Sequence, residues 1–309
     1  MAPIATETTA AATRTEHNDD LEYTKQLEYV DENTRSAFPK HPKFPSKLEE
    51  RAFLKFRLAQ ACRIFGHFQY DEGVAGHITV RDPIKPDCFW VNPFGAHFST
   101  IHADDLMLVD HYGRVQKESA PGKLLNYAGF MIHSAVHRAR PDVHAIAHAH
   151  TIHGKAFGAF GKKLEPYNQD VCAFYNDHGV YGQFKGIVTE EEEVQQIAQA
   201  LGNNKALIMQ NHGLLVATPT IEASVFYFGC LERSCKVQLM IEAAAAGNGQ
   251  RPIPIAPDDA YETYKTMGDI NGGWFTGLPE FQALEAREGV RYNFKTYKPE
   301  RFERDLEGF

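Results

Sequence analysis

The sequence predicts a single-domain α/β protein in which helices are layered on both sides of a central, mainly antiparallel sheet. Three observations carry this prediction. Short apolar segments separated by turn residues recur through the first half of the chain, a helix-periodic segment precedes them, and a long apolar helix follows the last strand pair. Elements in this order form a layered α/β/α arrangement. At 309 residues the chain is long enough to bury a full core.

The first predicted elements are one helix and three strands. Residues 48–68 carry apolar side chains at helical spacing, with Ser46 as a cap and Glu49 as its capping-box partner. Residues 1–45 are polar and punctuated by proline, so we expect a disordered or draped arm there. The strands are expected at 77–82, 88–93 and 105–110.

The second half continues the alternation of helices and strands. The expected elements are a helix at 124–140, a strand at 144–150, a short helix at 154–160, a polar loop or short strand at 168–181, a helix capped by Thr189 and ended by Gly202, a strand pair within 206–218, and a long helix at 221–246 closed by Gly247. The broad apolar side of that long helix suggests burial against another subunit. We divide the chain into the arm, a domain at 46–250, and a C-terminal extension at 251–309 that packs on the domain or on a neighbouring subunit. Two helical pieces around INGGWFTG are expected in this extension.

Composition narrows the class of protein. Apolar residues make up 43% and charged residues 23%, as in ordinary globular proteins, and the net charge of −8 argues against nonspecific binding to nucleic acid or anionic membranes. Five scattered cysteines without a CxxC pair favour a reducing compartment and inert burial. No apolar run reaches the ~18 residues of a membrane span, and the N-terminus lacks a secretory h-region. A cytoplasmic location is favoured.

The segment HAIAHAH (144–150) carries the strongest chemical pattern. In a strand, His148 and His150 leave the same face, roughly 6–7 Å apart. That spacing allows two ring nitrogens to converge on one divalent ion at ~2.0–2.1 Å each. Two histidines do not close a site, and an HxH pair alone is weak evidence among fifteen histidines. His212, in an NHG turn between two apolar strands, is the predicted third ligand.

Several ordered motifs resemble the class II aldolase/adducin family between about residues 54 and 246. They are AGHITVRD, FWVNPFG, DDLMLVD followed by GRV, FMIHSAVHRARPDVHAIAHAH, and QNHGLLV. The resemblance implies a class II aldolase-like fold, C4 homotetramers, and a small-molecule substrate. It also implies a divalent ion, Zn²⁺ in the first place, held at the positions of His148, His150 and His212. Three histidines also suit Mn²⁺, Fe²⁺, Ni²⁺ or Co²⁺. In the family's enzymes this ion stabilises the enediolate left by carbon–carbon cleavage.

The chain departs from the family's sugar-phosphate aldolases around the substrate. The position of their catalytic Glu, four residues before His133, is Gly129, which leans toward a fungal-type, adducin-like branch. Residues that hold phosphate in those enzymes are replaced by apolar or aromatic ones, and the position of a tyrosine acid is Gln169. The substrate-binding candidates are therefore Gly76, His77, Phe94, Gly95, Tyr127 and Gln169. Phe94 and Tyr127 favour an apolar or aromatic ligand without phosphate.

The residue that replaces the Glu as acid–base stays open. Candidates for proton transfer are His133, Tyr175, Asp177 and His178. Equally, His133 could orient a ligand imidazole, and Asp177 and His178 could stabilise turns. The first hypothesis is a metal-dependent lyase, of retro-aldol or decarboxylase type, acting on a non-phosphorylated hydroxy- or oxo-acid or aromatic substrate. The alternatives are an adducin-like oligomeric scaffold with a structural metal or none, and a metal-dependent epimerase or dehydratase.

Overall fold

A seven-stranded sheet lies at the centre of the computed structural model, which describes residues 38–186 and 191–302. The strand order is β3-β2-β1-β4-β7-β6-β5, and all neighbours run antiparallel except β5 and β6. The prediction of a mainly antiparallel sheet is confirmed. The strands are β1 His77–Arg81, β2 Cys88–Val91, β3 Met107–Asp110, β4 Ala145–Ala149, β5 His178–Tyr181, β6 Ala206–Met209 and β7 Gly213–Thr218.

Helices cover both faces of this sheet. They are α1 Lys47–His67, α2 Tyr127–Ala139, α3 Ile152–Gly158, α4 Glu191–Leu201, α5 Ile221–Asn248, α6 Pro257–Met267 and α7 Ile270–Glu288. A small hairpin of β8 Val290–Asn293 and β9 Lys298–Arg301 follows α7 and was not predicted. The Ser46 hydroxyl accepts a hydrogen bond from the Glu49 amide, as expected of the cap of α1. The predicted cap Thr189 lies outside the described residues.

The alternation of β4 separates two apolar cores. Ala145, Ala147 and Ala149 face the larger core, which also contains side chains of α1, α5 and α7. Ile146 faces a second core formed with α2 and α4. Because side chains alternate along a strand, His148 lies on the same side as Ile146, toward α2. This arrangement confirms the predicted α/β/α layering.

The broad apolar side of α5 is covered by this chain's own C-terminal helix. Trp274 of α7 is 3% exposed and belongs to the same core as Tyr227 of α5. Gly273 of α7 lies so close to the Tyr227 ring that a Cβ there would approach it within 2.3 Å. The expectation that this surface needs another subunit is therefore wrong for the part of α5 around Tyr227, since α7 supplies the apolar cover.

Two other details of the C-terminal region differ from expectation. INGGWFTG is the start of α7 itself rather than a break between two helices. Helix α5 continues past Gly247 and ends at Gly249, whose φ of 70° is the left-handed conformation of a helix C-cap. At the other end of the described chain, His41 stacks on Trp274 with ring centroids 4.0 Å apart.

The five cysteines are buried free thiols, as predicted. Burial raises the pKa of Cys62 to about 12, so that thiol is inert at neutral pH. No helix among residues 38–186 and 191–302 combines the length and apolar character needed to cross a membrane.

Candidate metal centre

Three histidines converge where β4 ends and the β6–β7 turn begins. The ring centroids of His148, His150 and His212 lie 4.6–5.1 Å apart, and one nitrogen from each lies within 4.8 Å of the others. Strand pairing explains the convergence, because β4 and β7 are neighbours with His148 opposite Leu215. The turn that precedes β7 therefore lies beside the end of β4. His212 is held in that turn by its amide, which donates to the Met209 carbonyl at 3.2 Å.

The protonation states of these rings suit a cation. Burial, and then the neighbouring His212, hold the pKa of His148 well below its usual range. Burial followed by His150 lowers the pKa of His212 to about 4, and burial followed by Lys155 lowers the pKa of His150. All three imidazoles are therefore neutral at pH 7 and keep a lone pair for a metal ion.

A hydrogen bond fixes which nitrogen of His148 is available. Its Nδ1 lies 2.9 Å from the Leu214 carbonyl oxygen, which can only accept, so Nδ1 carries the proton. Nε2 is then the free donor atom. Metal-ligating histidines commonly have their second nitrogen fixed in this way. The three side chains fit a divalent ion by donor chemistry and charge, and the tautomer of His148 fits it as well.

The chain that follows His150 is fixed by a buried carboxylate of α5. Glu232 accepts hydrogen bonds from the Thr151 hydroxyl at 2.5 Å and from the amides of His153 and Gly154 at 3.1 and 2.8 Å. These amides belong to the first turn of α3, where unpaired N–H groups favour a negative charge. Glu232 thus fixes the point at which the main chain leaves the candidate centre.

His77 and His133 lie directly beside this cluster. His77 is opposite His148 in the β1–β4 pairing, with ring centroids 5.1 Å apart, and His133 of α2 lies 4.2 Å from His77. Both rings are at least 97% buried. Neither nitrogen of His77 has a hydrogen-bond partner within the described chain, and the same holds for Nε2 of His133. Burial and then His133 hold the pKa of His77 well below its usual range, against a smaller opposing contribution from the main chain of Gly129.

The remaining substrate-binding candidates near α2 and β1 lie before β1, after β2 and at the start of α2. The Phe94 amide donates to the Leu124 carbonyl at 2.8 Å, which places Phe94, 38% exposed, near the start of α2. Tyr127 is the first residue of α2 and is 56% exposed. Gly95, next to Phe94, is exposed with a φ of 84°. Gly76 precedes β1 with a φ of 102°, and a Cβ there would lie 3.3 Å from the His148 carbonyl oxygen.

Asp177 and His178 are not brought to the histidine cluster within this chain. They lie at β5, three strands from β4, and His178 pairs with Ala206, whose side chain faces the α5 side of the sheet. Both ring nitrogens of His178 are engaged: Nδ1 donates to the Phe174 carbonyl at 2.7 Å, and Nε2 accepts from the Leu164 amide at 3.0 Å. His178 therefore has no nitrogen left for proton transfer.

Asp177 instead forms a buried ion pair. Its carboxylate accepts from the Lys205 ammonium at 2.6 Å, the Lys205 amide at 2.9 Å and the Tyr264 hydroxyl at 2.6 Å. Within this chain, the contacts of Asp177 and His178 stabilise the framework, and neither side chain reaches the histidine cluster.

Two further predicted residues also lie elsewhere. Tyr175 follows a short 3₁₀ helix at Asp170–Phe174 and lines a surface hollow with Leu164 and Pro166. Gln169 is exposed at the start of that 3₁₀ helix, and no hydrogen bond or ring contact of the described chain joins it to the histidine cluster.

Sequence reasoning missed the support behind His133. The Thr79 hydroxyl lies 2.8 Å from Nδ1 of His133 and 2.9 Å from Nε2 of His137. Thr79 follows His77 by two residues on β1, so period-2 alternation predicts that both face α2. His137 follows His133 by four residues on α2, which places the two on one helix face. Together, these spacings could have indicated the cluster.

The buried neutral histidines predict an acid-sensitive fold. Burial lowers the pKa of His178 below its ordinary value of 6.5. Below about pH 6.5 the unfolded chain therefore binds a proton that the folded chain does not, and stability falls as the pH falls. We expect chelator-treated protein to lose up to ~1.4 kcal/mol per pH unit for each such histidine, measured by urea unfolding between pH 7 and about pH 5. His178→Gln should show a shallower slope, and an unchanged slope would contradict the assignment.

Comparison with known proteins agrees with this geometry. Residues 56–239 match the family model described as class II aldolase and adducin N-terminal domain. The chain is 40% identical over 252 residues to the decarboxylase NovR of Streptomyces niveus, covering 81% of this chain and 91% of that protein. It is also 40% identical over 247 residues to a Streptomyces roseochromogenus subsp. oscitans protein named 4-hydroxy-3-prenylphenylpyruvate oxygenase/4-hydroxy-3-prenylbenzoate synthase, covering 80% and 87%.

A solved structure shares the fold at high identity. The protein described as L-fuculose 1-phosphate aldolase from Glaciozyma antarctica PI12 superposes with a TM-score of 0.75 at 44% identity, covering 82% of this chain and 97% of that one. Matches of this extent, together with the sheet and the histidine cluster, show that the chain belongs to the class II aldolase and adducin N-terminal domain family.

Proposed function

We propose that this chain is a divalent-metal-dependent lyase that cleaves a carbon–carbon bond, by retro-aldol cleavage or decarboxylation, in a non-phosphorylated hydroxy- or oxo-acid. The observation that carries the proposal is the convergence of three neutral imidazoles, His148, His150 and His212. Three protein ligands leave a coordination position for substrate, which is typical of catalytic rather than structural sites. When bound, the ion supplies the positive charge that stabilises an enolate oxygen.

The surroundings of the cluster support an aromatic substrate. The exposed ring of Phe94 follows β2, whose last residue is next to β1, and offers apolar contact area; the exposed ring of Tyr127 begins α2, two residues before Gly129, and lies beside Gly113. The nearby ammonium of Lys155 is paired with Glu72 at 2.5 Å, so its charge is already balanced. An aromatic acid could bind with its ring against Phe94 and Tyr127 and its carboxylate toward the ion.

The names of relatives support a decarboxylase more than a sugar-phosphate aldolase. One relative is called a decarboxylase, and the name of the other contains an aromatic oxo-acid and a benzoate. The Glaciozyma protein carries the competing description, since L-fuculose 1-phosphate is a phosphorylated sugar. The two substrate classes differ in the phosphate group and can be separated by direct assay.

An oxidative form of the reaction is the second candidate. The name of the Streptomyces roseochromogenus relative includes "oxygenase", and imidazole ligands also suit Fe²⁺. We therefore keep the metal open, with Zn²⁺ as the first choice and Mn²⁺, Fe²⁺, Ni²⁺ and Co²⁺ as alternatives. We also propose that this chain assembles as a homotetramer.

The test is a substrate and metal screen with product detection by mass spectrometry. Chelator-treated protein is reloaded with each ion and incubated with L-fuculose 1-phosphate and with two aromatic acids whose cleavage leaves an enolate, 4-hydroxy-4-(4-hydroxyphenyl)-2-oxobutanoate for retro-aldol cleavage and 3-(4-hydroxyphenyl)-3-oxopropanoate for decarboxylation. The oxidative form is tested with 4-hydroxyphenylpyruvate and 4-hydroxyphenyllactate, with and without oxygen. We expect metal-dependent cleavage of an aromatic acid that is abolished by EDTA, and little cleavage of the sugar phosphate. A requirement for oxygen together with Fe²⁺ identifies the oxidative form.

Three outcomes contradict the proposal. Preferential cleavage of L-fuculose 1-phosphate shows an orthodox sugar-phosphate aldolase. Metal-loaded, oligomeric protein without turnover of any of these acids supports the adducin-like scaffold, and proton exchange or loss of water without carbon–carbon cleavage supports an epimerase or dehydratase.

A further inference from the structure

The ring of His77 occupies the space that a side chain at position 129 would need. A Cβ built on Gly129 would lie 2.4 Å from Cε1 of His77, 2.8 Å from Nδ1 and 3.0 Å from Nε2. Real Cβ atoms do not approach other atoms this closely, so His77 can adopt this position only because residue 129 is glycine. The packing of the His77 imidazole therefore depends on the absence of a side chain at position 129.

His137, Thr79 and His133 form a chain of hydrogen bonds behind His77. The protonation of His137, at the far end, determines which atom donates in each bond. Nδ1 of His137 lies 3.2 Å from the Val143 carbonyl, which can only accept, so Nδ1 carries the proton and Nε2 of the neutral ring is bare. The Thr79 hydroxyl must then donate to that Nε2 at 2.9 Å. Since a hydroxyl has one proton, its oxygen accepts from Nδ1 of His133 at 2.8 Å. His133, buried and neutral, is left with a bare Nε2.

The neighbours of His77 indicate in the same way which side of its ring carries the proton. Its ring lies 4.2 Å from that of His133, whose remaining nitrogen is an acceptor without a partner in the described chain, and it packs against the backbone of Gly129. The N–H of a neutral His77 is therefore best placed toward His133 and Gly129. Neither nitrogen has a partner in the described chain, so the one without the proton is a bare acceptor, and the ring that carries it lies 5.1 Å from that of His148.

We propose that His77 contacts the substrate beside the metal ligands and presents a ring nitrogen that accepts a hydrogen bond from a substrate hydroxyl, with His133 as the residue that positions it. This assignment rests on the proposed metal-dependent function and narrows its substrate class to hydroxy-acids. His77 is not grouped with the three proposed ligands, because among residues 38–186 and 191–302 the group that could hold an ion consists of His148, His150 and His212, with one nitrogen of each within 4.8 Å of the others.

Ligand binding to zinc-loaded protein tests the contact without relying on turnover. The probes are 4-hydroxyphenyllactate and 3-(4-hydroxyphenyl)propanoate, which differ only in the C2 hydroxyl, and the readout is calorimetry together with zinc content. In His77→Phe, which keeps a ring and removes both nitrogens, affinity for the hydroxy-acid should fall about 3- to 10-fold. Affinity for the propanoate and the zinc content should not change. His67→Phe, at the exposed end of α1, is the matched control.

His133 should behave as a positioning residue in the same assay. His133→Phe removes the acceptor behind His77, so the hydroxyl-dependent part of the affinity should be lost while propanoate affinity stays. His133→Gln offers an amide oxygen as a replacement acceptor and should restore part of the preference. A purely structural role would weaken both ligands equally in both variants.

Thermal unfolding tests the packing claim independently of any metal. Gly129→Ala should lower Tm by about 2–6 °C, because the added methyl meets the His77 ring. In a His77→Ala background the same methyl should change Tm little. An equal loss of Tm in both backgrounds would overturn the claim that the His77 ring occupies the space beside residue 129.

The ligand assay separates failure of this inference from failure of the proposed function. If wild-type protein takes up no zinc, the metal-dependent function fails and the His77 assignment falls with it. If zinc is taken up but the wild type shows no hydroxyl preference, or if His77→Phe retains the preference, only the His77 assignment is overturned. Loss of zinc in His77→Phe also overturns it, since His77 would then be a metal ligand.

Discussion

His148→Ala is expected to lower the affinity for Zn²⁺ by more than about 100-fold while leaving the protein folded. Replacing outer-shell partners of metal ligands alone typically costs 10–100-fold, and this variant removes a ligand itself. His148 also lies in the centre of the sheet, so its loss leaves two imidazoles that cannot close the site. Competition with a chromophoric chelator measures the affinity, and far-UV circular dichroism measures the fold.

A matched control exists four residues earlier in the same segment. His144 immediately precedes β4 and is exposed, so His144→Ala changes the histidine count without touching the cluster. Its zinc affinity should equal that of the wild type. Equal losses in His144→Ala and His148→Ala would show that zinc binds nonspecifically to surface histidines.

Asp177→Ala is expected to produce the largest loss of stability, about 3–5 kcal/mol. The side chain of Lys205 is 2% exposed and that of Asp177 is 8% exposed, so removing the carboxylate leaves a buried ammonium without its counter-charge. The Lys205 amide and the Tyr264 hydroxyl lose an acceptor at the same time. Such a loss is a large fraction of the 5–15 kcal/mol that typically stabilises a domain.

Urea unfolding and thermal melting measure this effect. The double variant with Asp177→Ala and Lys205→Met should recover much of the lost stability, because it removes both charges. Metal affinity of the folded Asp177→Ala protein should stay unchanged, since Asp177 lies three strands from His148. Full stability combined with loss of cleavage activity would instead restore Asp177 as an acid–base residue.

The convergence of His148, His150 and His212 was predictable because its signal is local. Histidines at i and i+2 in an alternating strand must share a face, and β4 shows this alternation between its two cores. The NHG turn needed only one further assumption, that the apolar strands on either side of it form a hairpin. The pairing of β6 with β7 has that form.

The acid–base candidates at 175–178 do not lie at the histidine cluster within this chain, because polar residues that are dense in sequence need not be close to a distant site in space. The segment is rich in polar and aromatic residues, yet the charge of Asp177 is balanced by Lys205, 28 residues later, and its carboxylate also accepts a hydrogen bond from Tyr264, 87 residues later. No periodic pattern reveals partners at such separations. The same reason hid the cover of α5, since Trp274 packs there from a distant helix.

His77 was identified as a substrate-binding candidate, but its dependence on Gly129 was not. The two positions are 52 residues apart, on β1 and α2, and glycine carries no chemical signal of its own. Only the short distance between the His77 ring and the backbone of Gly129 shows that one residue determines what the other can be. A steric dependence between two residues this far apart in sequence can be recognised only in the three-dimensional structure.

The central claim, a divalent ion held by three histidines, is tested most directly by X-ray absorption at the zinc edge. The sample is protein loaded with one equivalent of Zn²⁺. We expect a first shell of nitrogen or oxygen atoms at ~2.0–2.1 Å, with outer-shell scattering from about three imidazoles. His148→Ala should reduce or abolish this imidazole scattering. Sulfur at ~2.3 Å, or a spectrum of hydrated zinc without imidazole scattering, would contradict it.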